Sequence, residues 1–235
     1  MEQAPGAHQH RDILSGGARA AIFGVSDGLV TNVSLILGVA GAHPVQGVVR
    51  LTGLAGLVAG AFSMGAGELV SMQAQRELLQ RELDVERHAL RTSPEGESRE
   101  LAAIYERRGI DPGVARDLVE GVMADPELAL EVHAREELGV NPQSLGSPWL
   151  AAVSSFGAFC VGAVLPLLPW LFASGSVATL SSVVIGGCAA LLVGLGLAAL
   201  TGRSRLRSAV RQLAVAAVAA AVTYGIGRGV GAGIS

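Results

Sequence analysis

The sequence predicts an all-α membrane protein of five transmembrane helices, with a cytoplasmic helical domain inserted between the second and third. Two observations predict this class: five apolar windows are each long enough to cross a bilayer, and the charge is gathered into the stretch between the second and third of them. Half of the 235 residues are hydrophobic and the mean hydropathy is +0.48, yet 16% are charged. Residues 73–147 hold 16 of the 20 acidic side chains and 9 of the 17 basic ones, a local net charge of −7. Such segregation implies two solvents, lipid for the apolar windows and water for the middle.

A span needs about 20 apolar residues to cross about 30 Å of hydrocarbon. The windows 19–41, 51–72, 148–171, 177–200 and 209–232 satisfy this, with tight turns at 42–50 and 172–176 and a short basic loop at 201–208. The chain is accordingly divided into an N-terminal segment 1–18, spans one and two within 19–72, the insert 73–147, and spans three to five within 148–235. Five such helices need more amphipathic cover than one insert supplies, which argues against a soluble core. The first eighteen residues contain no apolar run of the kind a cleaved signal has, so the first span is expected to direct its own insertion.

Orientation follows from Arg203, Arg205, Arg207 and Arg211, because short Arg-rich loops stay cytoplasmic. Alternating outward from that loop places the amino terminus, with Arg11 and Arg19, and the insert in the cytoplasm, and the carboxyl terminus outside. Arg50 and Arg228 fall on the far side and depart from the rule. The two cysteines, Cys160 and Cys188, both lie in apolar runs and read as small buried side chains rather than a disulfide.

Within the insert, Ser93-Pro94-Glu95, Asp111-Pro112 and Asp125-Pro126-Glu127 each set a capping side chain before a proline at the first helical position. Gly109 and Gly139 stand where helices would stop. Three short helices are predicted, near 94–108, 112–123 and 126–138. Residues 68–92 contain neither glycine nor proline, so the second span is expected to continue into water as one stalk helix covering 51–90, about 60 Å long at 1.5 Å per residue.

The apolar windows contain two carboxylates, Asp27 and Glu68. A charged side chain at a helix centre costs about 2.5–3.5 kcal/mol on insertion scales, so each marks a candidate functional position. Asp27 lies about 12 Å into the first span, counted from Arg19, on a stripe of small and polar residues: Gly24, Thr31, Ser34, Gly38 and Gly41. The second span carries Gly53, Gly56, Gly60, Met64 and Glu68 in the same manner, a pattern that also permits plain helix packing. Continuing its face leads through Gln75 and Leu79 to Glu82 and Glu86.

The neighbouring helix offers Glu97 and Glu100, and the last one His133, Glu136 and Glu137. Carboxylate oxygens with an imidazole suit Fe²⁺, Mn²⁺ or Zn²⁺ rather than Cu⁺. The same acids also suit a solvated helix face, with Arg81, Arg87, Arg99 and Arg135 at hand as ion-pair partners. No Glu-x-x-His pair, phosphate loop, nucleophile elbow or Cys/His zinc pattern is present, so an enzyme and a nucleic-acid binder are both disfavoured.

The segments FGVSDGLVTNVSLILGV at 23–39, GLVAGAFSMGAGELVSMQAQRE at 56–77 and HAREELG at 133–139 resemble the vacuolar iron transporter family over nearly the whole chain. The resemblance implies a homodimer with five spans per subunit and a cytoplasmic metal-binding helical domain. It further implies export of Fe²⁺ from the cytosol coupled to inward proton movement. Asp27 is similar to the family's first-span aspartate and Met64 to its second-span methionine, both implied to line the path at the dimer interface. Glu86, Glu97, Glu100 and Glu137 are similar to insert glutamates implied to hold metal.

Two positions depart from the family's eukaryotic members: Ala89 where they carry a further glutamate, and His133-Ala134 where they carry Met-Glu. His133 offers a nitrogen donor in place of a missing oxygen. Alongside a transporter of Fe²⁺, Mn²⁺ or Zn²⁺, the residues also fit a membrane-tethered metal buffer or sensor whose spans only anchor it. The membrane would be the inner membrane of a bacterium or a vacuolar-type membrane of a eukaryote.

Overall fold

A computed structural model describes residues 16–43, 46–139 and 146–234. The amino-terminal segment with Arg11 lies outside the described residues. All regular structure among the described residues is helical: α1 Gly16–Gly41, α2 Gln46–Thr92, α3 Pro94–Arg107, α4 Pro112–Met123, α5 Pro126–Glu136, α6 Pro148–Phe172, α7 Gly175–Thr201 and α8 Arg205–Ile234. Five of them, α1, α2, α6, α7 and α8, are long and apolar enough to cross a membrane. The molecule divides into two compact units, residues 1–70 with 147–235, and residues 71–146.

In the first unit α1 packs against α6, α7 and α8. Its apolar residues fill two clusters: Ile36 meets Leu167, Trp170 and Val49, while Leu29 meets Ala189, Ala190 and Ala216. The α1–α6 seam is close because a glycine allows it. A Cβ at Gly28 would stand 2.2 Å from the Phe159 carbonyl oxygen, so no larger residue fits without moving a backbone. Buried polar groups staple the seams further: Asn32 Nδ2 donates to Ala163 O (2.6 Å), Ser182 Oγ to Pro166 O (2.7 Å), and Gln212 Nε2 to Ser26 Oγ (2.6 Å). Inside apolar surroundings each such bond spares the cost of an unmet polar group.

Helix α2 joins this unit mostly through side chains. Gly53 faces the side chains of Leu167 and Ile36, and Gly60 faces the Phe159 ring. Its 47 residues span about 70 Å at 1.5 Å each, more than twice the hydrocarbon thickness, so only its amino-terminal half is needed to cross.

In the second unit α3, α4 and α5 close on a core of Leu101, Ala102, Val119, Val122 and Ala129, with Leu90 of α2 against it. The starts of α4 and α5 are capped as their sequences dictate. Asp111 Oδ1 accepts from the amides of Gly113 and Val114, and Asp125 Oδ1 from those of Glu127 and Leu128. Ser93 is different: its side chain makes no capping bond, and its carbonyl accepts from Gly96 N (2.8 Å) and Glu97 N (3.1 Å) instead. Gly109 (φ +93°) and Gly139 (φ +65°) follow α3 and α5 in the left-handed region, which is why those helices end there.

The turns are tighter than their sequences suggest. Helix α2 begins at Gln46, inside the expected turn 42–50, and α8 begins at Arg205, inside the expected loop 201–208. The cysteines are not uniformly interior: Cys160 is half-buried and Cys188 exposed, both as free thiols.

Candidate metal centre

Four side chains of the second unit converge. Glu86 of α2, Glu97 of α3, His133 of α5 and Glu137 at its carboxyl end each place one ligand atom within 4.8 Å of all the others. The local sequence explains how each reaches the site. Met72, Leu79 and Glu86 recur at seven-residue steps on α2, the first two buried and Glu86 half-buried. Along α5 the buried residues are Ala129, Leu130, His133 and Ala134, so the imidazole occupies a core position in an apolar stripe.

His133 is fully buried, and its Nδ1 lies 2.8 Å from Ala129 O. Nε2 faces the Glu97 carbonyl oxygen at 3.4 Å, so the shorter Nδ1 contact favours the tautomer with its proton on Nδ1 and the Nε2 lone pair on the cluster side. A backbone carbonyl that fixes the tautomer in this way is the usual outer-shell partner of a metal-ligating histidine. Glu86 Oε1 is buried with no hydrogen-bond partner, an orphaned oxygen that a cation would satisfy.

The electrostatics follow from crowding. Burial raises the Glu86 carboxyl above its ordinary value; Glu97 and Glu100 add to the rise, and His133 opposes it. Glu137 is exposed as a residue, but its carboxyl is partly desolvated against the cluster and is raised to about 7, first by that desolvation and then by the Glu86 charge, with His133 again opposing. Glu86 and Glu137 thus hold a proton more tightly than ordinary carboxyls do, and a divalent ion would have to displace it. The oxygen-rich set with one nitrogen suits Fe²⁺, Mn²⁺ or Zn²⁺.

The other acids of the insert are placed differently. Glu100 is exposed at the edge of the cluster, close enough to raise Glu86 and Glu137 but outside the converging group. Glu136 forms an ion pair with Arg108 and hydrogen-bonds with Tyr105, whose phenol is raised by burial and by that carboxylate. Glu82 is half-buried and also outside the group. The arginines pair with other acids, Arg87 with Asp84 (2.7 Å) and Arg135 with Glu131, so these pairs leave the converging carboxylates unneutralised.

In the first unit, Asp27 is exposed and accepts a hydrogen bond from Thr31 Oγ1 (3.2 Å). Phe23, Asp27, Thr31 and Leu35, at successive four-residue steps, are all exposed. The small residues near Asp27 face elsewhere, Gly24 toward Ser155 and Ala158 of α6, Gly38 toward Thr223 of α8. The stripe expected on α1 is therefore split between two buried seams and one open face. Met64 is half-buried against Ala61, Phe159 and Ala163, and Glu68 is half-buried.

Five helices long and apolar enough to cross a membrane, with a helical unit that gathers three carboxylates and an imidazole, define a multi-pass membrane protein. Residues 18–228 match the VIT family, and the chain belongs to that family. It is 35% identical over 185 residues to the vacuolar iron transporter of Acanthamoeba castellanii, covering 75% of this chain and 67% of that one. It is 32% identical over 214 residues to vacuolar iron transporter 1 of Oryza sativa subsp. japonica, covering 90% and 85%. It is 31% identical over 202 residues to vacuolar iron transporter 1 of Arabidopsis thaliana, covering 86% and 81%. These relatives are transporters, not enzymes.

Proposed function

We propose that this protein transports a divalent metal, Fe²⁺ and also Mn²⁺, out of the cytoplasm by proton antiport, working as a homodimer with its insert on the cytoplasmic side. The observation that carries the reading is the convergence of Glu86, Glu97, His133 and Glu137 in a five-span member of the VIT family. The insert collects the ion; Glu68, Met64 and Asp27 serve its passage through the spans. Metal and proton compete for the same oxygens, and that competition is the simplest physical basis for coupling opposite fluxes.

The homodimer is supported by the open face of α1. An ionised Asp27 turned toward lipid costs about 2.5–3.5 kcal/mol, and a second copy covering that face removes the cost. One observation favours a different reading: the four ligands all belong to one compact unit, as a tethered buffer or sensor would require.

Vesicles separate the two. The purified chain in proteoliposomes under a pH gradient should move Fe²⁺ against a chelating reporter, and a protonophore should stop it. Metal binding without any flux would leave only the buffer or sensor. Competition by Mn²⁺ and Zn²⁺ in the same vesicles ranks the ions.

A further inference from the structure

The end of the membrane unit where α1 and α6 finish and α2 and α7 begin encloses a cavity of about 530 Å³. That volume lies within the usual range for a small-ligand site. Trp170 lines it, is 3% exposed, and has an indole Nε1–H buried with no acceptor. Trp170 packs against the apolar Ile36, Val49, Leu167 and Ala178 and lines the cavity, which is where an acceptor for this N–H can enter. Leaving such a donor unmet costs about 1–3 kcal/mol.

The rest of the polar wall is also rich in donors. Ser176, Tyr224 and His43 line it, and no lining residue is acidic. Helix α7 opens onto it at Gly175 and Ser176. Of the carbonyls nearby, Val39 O and Ala40 O accept from the amides of Ala42 and His43, and Pro169 O from that of Ala173. The cavity therefore offers the Trp170 N–H and the Ser176 and Tyr224 hydroxyls, with no carboxylate among the described lining residues, a wall that suits an oxyanion.

Two arginines that the basic-loop pattern does not account for fall at the same end. Arg50 follows Val49 of the wall and has a buried, unpartnered Nε, and Arg228 lies one turn beyond Tyr224. The mouth is apolar: Leu180 and Val183 line it and are exposed, and Phe172 and Val177 beside it are exposed as well. Donors inside and an apolar rim at a helix end match a headgroup phosphate whose acyl chains run along the rim. We propose that this cavity binds the phosphate of an anionic phospholipid.

Trp170 reports on its own cavity, since Trp149 is the second of two tryptophans and Trp149→Phe leaves Trp170 alone. The full chain in detergent, as W149F, is titrated with dioleoylphosphatidylglycerol, dioleoylphosphatidylcholine and inorganic phosphate while Trp170 emission is followed. A saturable change is expected with phosphatidylglycerol at a concentration at least about tenfold lower than with phosphatidylcholine. Equal concentrations, or no saturable change, overturn the proposal. A full response to inorganic phosphate alone assigns the site to the free anion and overturns its lipid part.

Lipid retained through purification, counted by native mass spectrometry, gives a readout independent of fluorescence. Trp170→Phe keeps an aromatic ring but removes the N–H together with the indole's second ring, whereas Tyr224→Phe removes only a hydroxyl and so isolates the hydrogen-bond donor. Each should retain several-fold less phosphatidylglycerol at unchanged helical circular dichroism. Wild-type retention in both variants overturns the proposal; where one variant fails to fold, the other decides.

Discussion

Both units of the molecule carry carboxylates, and they present them in opposite ways. The insert draws Glu86, Glu97 and Glu137 around a buried imidazole, and one chain supplies every ligand. The membrane unit leaves Asp27 exposed beside Thr31. A ligand set that is complete within one chain can hold an ion at equilibrium. An acid on an open apolar helix instead needs covering, and the surface that covers it decides its chemistry. In the proposed function, capture and passage would thus make different demands, the first on convergence within a chain and the second on a face shared with another surface.

The largest expected effect breaks the two apart. Asp27→Ala should reduce metal flux in proteoliposomes to the protein-free background, while calorimetry finds the insert's affinity unchanged. Normal flux by this variant would falsify the proposed route. The reciprocal change, His133→Ala, should weaken metal binding by at least about tenfold, the low end of losses seen even for outer-shell changes. Circular dichroism must show the helices intact for that loss to count, because His133 is also buried core.

Acidity should distinguish the units next. Glu137 is raised to about 7, so below that pH it holds a proton the ion must displace. Affinity should climb by about tenfold per pH unit for each proton displaced as pH rises toward 7, then level off above it. The metal-free insert should do the reverse. Its folded state keeps a proton that an ordinary carboxyl at 4.5 releases, so the stability this adds is present below 4.5 and is lost as pH rises through about 7. A binding affinity flat from pH 5.5 to 8.5 would remove proton competition from the insert.

The smallest effect concerns packing alone. Gly28→Ala forces a Cβ against the Phe159 backbone and should lower the stability of the membrane unit by about 1–3 kcal/mol. Gly67→Ala meets nothing within 4 Å and should stay within about 0.5 kcal/mol. Thermal melts of the two variants in one detergent make the comparison.

The helices were legible because their signals are local. Apolar length marks the spans, and Asp111-Pro112, Asp125-Pro126, Gly109 and Gly139 punctuate the insert at the residue where the chain turns. Convergence is not local, and the site was correspondingly less legible. Spacing alone made Glu136 as good a candidate as Glu137, yet Arg108, from the far end of α3, pairs with Glu136 and leaves Glu137 at the cluster. A usable signal did exist in His133, which interrupts the buried stripe of Ala129, Leu130 and Ala134 with a polar ring. Asn32 gave no such sign among the small residues around it, though it is fully buried and bonded to α6.

The glycine contacts of α1 carry a mechanical consequence. Backbone meets backbone on both its flanks: Gly28 against Phe159 of α6, and Gly227 of α8 so near Gly38 that a Cβ there would overlap its carbonyl. A helix gripped on two sides at main-chain distance cannot roll without breaking both grips. Helix α2 meets the same bundle mostly through side chains, at Gly53, Gly56 and Gly60, with one looser main-chain approach where a Cβ at Gly65 would stand 3.3 Å from Ala152 O. On the proposed route Asp27 would thus be mounted on a stator, and a stroke that opens and closes the way past it would belong to the less tightly held α2.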